Sequence, residues 1–276
     1  MPKQVMTIRM IDGHPVNQTQ DVPFTAPPIY EVIRLYDGVP LFIESHLKRL
    51  YNSMQLTDLI LDLPLELVVN AIKELTELNH TSITNVRLEV GKISSGQICW
   101  TLYMVESIYP ERSTYDTGVE TSTFKIERPN PHAKIYRVSF TDLIGAEKTR
   151  NNVFEVILVN ELGQITEGSR SNLFFIKDNA LFSANRELVL EGITREKVLE
   201  ILFEKGITLV EGVLPVENLG DFEACFLTGT SIHILPIKRI DSFSYDSANH
   251  SMIKMLQMEF ETKIQDDLQQ TRRLYK

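Results

Sequence analysis

Apolar and polar residues alternate along MTIRMIDGHPV and again along IYEVIRLYDGVPLFI. Each run is broken by an Asp-Gly pair, Asp12-Gly13 and Asp37-Gly38, which predicts two β-hairpins. From Glu44 the period changes. His46, Leu47, Leu50, Met54 and Leu56 recur at helical spacing, and Pro64 to Leu78 reads as a second helix with its proline where the first turn tolerates one. VRLEVGKIS and QICWTLYMVES alternate around a Ser-Gly turn and predict two more strands. Ile108 to Gly118 (IYPERSTYDTG) has no apolar period and reads as a linker. Beyond it come a strand over 119–127, a proline-rich patch (PNPHAK) and a helix over 141–151. Strands follow at VFEVILVN, at QITEG and in the hairpin SNLFFIKDNALFSA. EGITREKVLEILFEKG is an amphipathic helix closed by Gly206. GITLVEGVL and ACFLTGTSIHILPIKRI are strands, and a helix runs from Asn249 to about Arg273.

These elements give an α/β (α+β) chain with no internal repeat. The reading divides it into a small α/β domain (1–107), a linker (108–118) and a larger domain (119–276), with the site expected between the two. A length of 276 residues supports two modest cores, and 43% apolar with 24% charged residues is the composition of a globular protein. The net charge of −9 argues against nucleic acid or an anionic membrane as the main partner. Cys99 and Cys225 have no metal-ligand or CxxC spacing and read as reduced core thiols, so no metal is expected. No apolar run approaches the roughly 18 residues of a membrane span, and MPKQVMTIRM lacks a signal-peptide pattern. The expectation is a cytoplasmic enzyme.

Two short segments suggest where an anion could bind. Gly192-Ile193-Thr194-Arg195 opens a helix, and a helix start offers free N–H groups and the positive end of a dipole to a phosphate. A plain strand-to-helix turn would look the same. The turn Leu227-Thr228-Gly229-Thr230-Ser231 follows a strand and offers hydroxyls and further N–H groups, or is a simple loop between core strands.

Taken together with other segments, these strings resemble a known family. GQITEGSRSNLFFI, LVLEGITREKVLEI and FLTGTSIHILPI are similar to the C-terminal half of the fold-type IV pyridoxal-phosphate enzymes. That group holds the branched-chain and D-amino-acid aminotransferases and aminodeoxychorismate lyase. EVIRLYDGVPLFIESHLKRLYNSMQL resembles the same family's E-x-x-R-x-x-x-G-x-x-x-x-x-x-H-x-x-R-L. The four matches occur in the family's order and span Glu31 to Ile237.

The resemblance implies a two-domain architecture whose larger domain has a mixed, barrel-like sheet, pyridoxal 5'-phosphate as cofactor, and a homodimer. It implies that Arg49 binds the phosphate, Glu167 faces the pyridine nitrogen and Leu190 lies against the ring. Gly192, Ile193 and Thr194 would cradle the phosphate with Gly229 and Thr230, and Asn172 would support the turn. For the lysine joined to the cofactor there are two candidates. Lys148, in Glu147-Lys148-Thr149-Arg150-Asn151, has a family-like string but lies only 19 positions before Glu167. Lys134 lies 33 positions before it, the spacing of aminodeoxychorismate lyase and one short of the usual branched-chain spacing, and is chosen.

Three departures bear on the reaction. Ala26-Pro27-Pro28-Ile29-Tyr30-Glu31 replaces the family's aromatic-glycine loop. Arg137 and Val138 stand where an asparagine and tyrosine are usual, with Tyr136 out of step. Asn85-Val86-Arg87 keeps the arginine of a branched-chain Tyr-x-Arg and lacks its tyrosine, and the D-amino-acid Arg-x-His is absent. Arg87, Arg137 and Ser231 are the candidate substrate contacts. The favoured reading is an aminotransferase acting on an amino acid, branched-chain by its arginine, and a 2-oxo acid. The lysine spacing matches aminodeoxychorismate lyase, which is the alternative. A non-catalytic cofactor-binding homologue is the third.

Overall fold

The computed structural model describes residues 8–17, 21–81 and 83–275. Residues 1–7, which hold the start of the first predicted strand and most of the N-terminal stretch read for targeting, lie outside them. The chain forms two compact units: Met1–Ile108 with Ala133–Val138 and Ile264–Lys276, and Tyr109–His132 with Ser139–Lys263.

The first unit has strands β1 (Ile8–Ile11), β2 (His14–Asn17), β3 (Ile29–Tyr36), β4 (Val39–Pro40), β5 (Asn85–Lys92) and β6 (Ile98–Val105), with helices α1 (Ile43–Gln55) and α2 (Leu65–Asn79). The sheet runs β2-β1-β6-β5-β3-β4, antiparallel throughout. Both Asp-Gly pairs are the predicted turns. Asp12 and Gly13, and Asp37 and Gly38, all have positive φ, the conformation that matches a two-residue loop to strand twist. Alternation then assigns the faces. Ile33, Leu35, Val86, Leu88, Leu102 and Met104 pack with Leu47, Leu50 and Met54 of α1 and with Val68, Ile72 and Leu75 of α2.

The opposite face of that sheet is also buried, although it is polar. Arg9 and Thr101 expose no surface, Arg87 exposes 2%, and Asn85, Glu89 and Tyr103 are buried with them. Burying guanidinium groups without compensation is costly, so such a layer demands partners.

The second unit contains α3 (Arg112–Thr117), β7 (Val119–Lys125), α4 (Val138–Asn151, whose first residue belongs to the first unit), β8 (Glu155–Val159), β9 (Ile165–Gly168), β10 (Asn172–Lys177) and β11 (Ala180–Ala184). It continues with α5 (Ile193–Lys205), β12 (Leu209–Gly212), β13 (Ala224–Gly229), β14 (His233–Ile240), β15 (Phe243–Ser244) and the start of α6 (Ser251–Thr271), whose residues from Ile264 onward belong to the first unit. The nine strands form one mixed sheet, β12-β11-β10-β13-β14-β7-β8-β9, with β15 on β14. Three of its pairings are parallel: β11 with β12, β14 with β7, and β7 with β8. β9, the last strand in this order, also lies against β10 and β11, which curls the sheet into a partial barrel.

The polar stretch 108–118 contains α3 and ends at Gly118, whose φ is 75°. A Cβ there would sit 3.0 Å from the Lys238 amide, so the close approach to β14 admits only glycine without adjustment. α5 ends, as predicted, in a left-handed Gly206. Its amphipathic pattern is imperfect: Phe203 stands in solvent, and Arg195 on the inner side is buried and ion-paired with Glu211.

Candidate active site

In the first unit residues 134–136 pair with the start of β3. The Tyr30 N–H donates to the Lys134 carbonyl (2.9 Å), the Tyr136 N–H to Pro28 (3.0 Å), and Ile135 bridges Ile29. The Lys134 N–H donates to Ser53 Oγ on α1 (3.2 Å). Its half-buried Nζ lies 4.9 Å from the centre of the Tyr30 ring. Lys148 is elsewhere, in the last turn of α4 in the second unit, over Phe154.

Arg49 is held by a residue of the same motif. Glu31 comes from β3, and both its oxygens engage the guanidinium, Nε to Oε1 at 2.7 Å and Nη2 to Oε2 at 2.6 Å. His46 Nδ1 lies 2.7 Å from Glu31 Oε2. Burial alone would raise the Glu31 carboxyl, but the Arg49 charge and the hydrogen bonds from Arg49 and His46 bring it down to about 2. Burial pushes His46 the other way for a base, below its ordinary value, and outweighs the pull of Glu31. Lys134 adds a smaller push in the same direction. An ionised Glu31 is an acceptor only, so the neutral imidazole carries its proton on Nδ1 and donates it there. The bidentate contact uses one fork of the guanidinium and fixes the direction of the other.

Arg87 sits on the buried polar face. Its guanidinium carbon lies 4.0 and 4.3 Å from the ring centres of Tyr30 and Tyr136, which meet edge to face, and its Nε donates to Glu89 Oε1 at 2.6 Å. Arg87 and Lys134 therefore meet the same tyrosine. Tyr136, out of step in the sequence pattern, is buried in this cage. Arg137, next along the chain, is half-buried.

In the second unit Glu167 ends up with three kinds of donor. Oε2 accepts the Leu190 N–H (3.0 Å) and Asn172 Nδ2 (3.2 Å), and Oε1 accepts Arg128 Nε (2.5 Å). Asn172 Nδ2 also donates to the Leu190 carbonyl (2.7 Å), and the Gly192 N–H reaches that same carbonyl (2.8 Å). A Cβ on Gly192 would stand 2.0 Å from Asn172 Oδ1, which is why glycine precedes α5. No side chain caps this helix start, where Ile193 and Thr194 are buried. Across from Asn172 in the β10–β13 register stands Thr228, leading into the half-buried Gly229-Thr230-Ser231 turn. Its Oγ1 is buried and has no hydrogen-bond partner among the described residues. Glu167, Leu190, Gly192 and Asn172 are thus brought into direct contact, with the second turn alongside.

Several supporting residues carried no motif signal. Arg128 anchors the turn after β9 as well as Glu167, through Ser169 O at 2.6 Å, and Glu155 receives the Ser169 hydroxyl at 2.5 Å. Glu89 reads in sequence as one more alternating strand position. An acidic residue two positions from Arg87 on the same strand face was the available clue.

Known proteins match this arrangement. The model of the amino-transferase class IV family matches residues 28–240. A D-alanine aminotransferase of Bacillus licheniformis is 25% identical over 237 residues, covering 77% of this chain and 78% of its own. A probable branched-chain-amino-acid aminotransferase of Thermotoga maritima is 29% identical over 225 residues, covering 79% and 78%. Among solved structures, the PLP-bound form of a hypothetical aminotransferase from Mycobacterium tuberculosis superposes with a TM-score of 0.78 at 19% identity, covering 94% of this chain and 99% of its own. A putative 4-amino-4-deoxychorismate lyase from Legionella pneumophila gives 0.76 at 19% identity, covering 86% of this chain and 91% of its own. The family match spans both units and contains every motif that builds the two residue clusters, and the chain belongs to the class IV aminotransferases.

Proposed function

We propose that this chain moves an amino group between an amino acid, branched-chain or similar, and a 2-oxo acid, using pyridoxal 5'-phosphate. The observation that carries the reading is the Glu167 carboxylate, buried and fixed by Arg128, Asn172 and the Leu190 N–H beside an uncapped helix start. The donor set fits the cofactor. It contains an amine (Lys134), an oriented carboxylate (Glu167), a locked guanidinium (Arg49), the first amides of α5, and a buried hydroxyl awaiting a partner on Thr228. The PLP-bound aminotransferase from Mycobacterium tuberculosis supports the same choice.

When bound, pyridoxal 5'-phosphate supplies an electron sink for the pair released at the substrate Cα. Arg49, Gly192, Ile193, Thr194, Gly229 and Thr230 hold its phosphate, Glu167 holds the pyridine nitrogen protonated, and Leu190 covers the ring. Lys134 is the general base that takes the proton from Cα and returns it. Arg87, Arg137 and Ser231 contact the substrate. The working protein is a cytoplasmic homodimer; no helix among the described residues is long and apolar enough to cross a membrane.

The test is the visible spectrum of the cofactor-loaded protein as single amino acids are added. A band that bleaches with L-leucine and L-valine, or with D-alanine, establishes the transfer and names the donor class. Lys134→Ala is expected to abolish it and Lys148→Ala to leave it intact; full turnover in Lys134→Ala sinks the assignment. The 33-position lysine spacing favours a second reading, aminodeoxychorismate lyase, which release of pyruvate from aminodeoxychorismate would establish.

A further inference from the structure

The buried polar face of the first sheet carries a feature that the transfer reaction does not explain. On β5, Arg87 and Glu89 are two positions apart and share a face. Glu89 takes one N–H of Arg87, and the rings of Tyr30 and Tyr136, set edge to face, lie 4.0 and 4.3 Å from the guanidinium carbon. Arg87 Nη2 is buried and has no acceptor among the described residues. Thr101, directly opposite Glu89 in the β5–β6 register, has its hydroxyl buried without a partner as well. Two orphaned polar atoms on one sheet face each carry a desolvation cost that a ligand's oxygen relieves.

The charge of the patch decides which ligand. An unpaired arginine attracts any carboxylate, and a second carboxylate most of all. Here the nearest charge to Arg87 is Glu89, itself buried and bonded to the Tyr103 hydroxyl, so Arg87 and Glu89 sum to zero. Arg9, whose guanidinium lies 4.6 Å from the Tyr103 ring, is itself paired at 3.6 Å with Asp21 and adds little net charge. What remains at Arg87 is a directional donor, Nη2, beside a fixed negative charge.

We propose that Glu89 is a specificity-determining residue: it neutralises Arg87, so the site takes amino donors with an uncharged side chain and turns dicarboxylic ones away. This rests on the reading that Arg87 contacts the substrate. The effect is electrostatic and its sign does not depend on which end of the substrate meets Arg87. Removing the Glu89 charge strengthens binding of any anion nearby, and of a dianion more than of a monoanion.

The test is equilibrium binding of two unreactive acids, glutarate and 4-methylvalerate, to the cofactor-loaded protein by titration calorimetry. The wild-type protein is expected to prefer 4-methylvalerate. Glu89→Gln is expected to shift the affinity ratio toward glutarate by at least tenfold, the effect of one charge about 12 Å away at an effective dielectric of about 20. Glu89→Asp, which keeps the charge, is expected to restore discrimination, as a merely structural role would not require. A wild-type protein that binds glutarate more tightly overturns the proposal without any variant. An unchanged ratio in Glu89→Gln, with both acids weakened by Arg87→Gln, overturns it and leaves Arg87 as a substrate contact. If Arg87→Gln alters neither affinity, the reading of Arg87 fails and the proposal falls with it.

Discussion

Gly192→Ala tests the geometry around Glu167 with a single methyl group. The backbone at Gly192 (φ −69°, ψ 141°) suits any residue, so strain in φ and ψ contributes nothing. The added Cβ would sit 2.0 Å from Asn172 Oδ1, a separation that Cβ atoms do not tolerate below 3.0 Å. The amide must retreat by about 1 Å, yet Asn172 is pinned at 2.7 Å to the Leu190 carbonyl and at 3.2 Å to Glu167. Overpacking of this kind costs roughly 1–3 kcal/mol, and each buried hydrogen bond lost costs about 1 kcal/mol more. A total of about 3–5 kcal/mol corresponds to a fall in Tm of roughly 6–20 °C for a unit of this size. The assay is thermal unfolding followed by circular dichroism, without and with pyridoxal 5'-phosphate. Asn172→Gly removes the obstacle, so the double variant Gly192→Ala with Asn172→Gly should be no less stable than Asn172→Gly alone. A Tm for Gly192→Ala within a degree of wild type refutes the reasoning. So does a double variant that loses the sum of both single effects.

Glu31→Ala strands the Arg49 guanidinium and is expected to cost about 3–5 kcal/mol in urea unfolding. Arg49→Met with Glu31→Met, which removes both charges, should cost clearly less. Because burial lowers His46 below its ordinary value of 6.5, the folded state resists the proton that the unfolded chain accepts. Its contribution is complete above that value and is lost as pH falls below it. The Glu31 contribution is complete above 4.5 and is lost as pH falls toward about 2. Urea midpoints should therefore decline from below pH 6.5, and His46→Gln should flatten the first part of that decline. Burial raises the Cys225 thiol well above its ordinary range, and burial with the Asp12 charge pushes Cys99 up to about 12. Iodoacetamide at about pH 8, near the ordinary thiol range, should label neither thiol in the folded protein and both in urea.

Local pattern carried far in this chain. The Asp-Gly turns, the alternation in β3, β5 and β6, and the helix closed by Gly206 each depend on neighbours in sequence, and each was legible there. The strings around Glu167 and Gly192 were legible as motifs, and the contact between Asn172 and Gly192 explains why they occur together. What escaped depends on distant chain. Alternation puts Arg87 and Glu89 on one face, but says nothing about what covers that face, so its burial was invisible. Arg128 lies 39 positions from Glu167, and nothing in its surroundings announces the pairing. The segment 133–138 joins β3 through backbone hydrogen bonds, which carry no side-chain signature.

The first unit draws on three stretches of the chain, so its last piece is translated only after the whole of the second unit. The N–H of Phe42, which precedes α1, donates to Asp267 Oδ2 at 2.7 Å. A nascent chain that has emerged up to residue 250 holds every strand of both sheets but lacks Asp267 and the other residues of 264–276. The N-terminal sheet and its helices must wait, incomplete, while all of the second unit is translated. Native contacts between residues so far apart close slowly. The contact between Phe42 and Asp267 can form only once translation has passed residue 267, long after the N-terminal half is made.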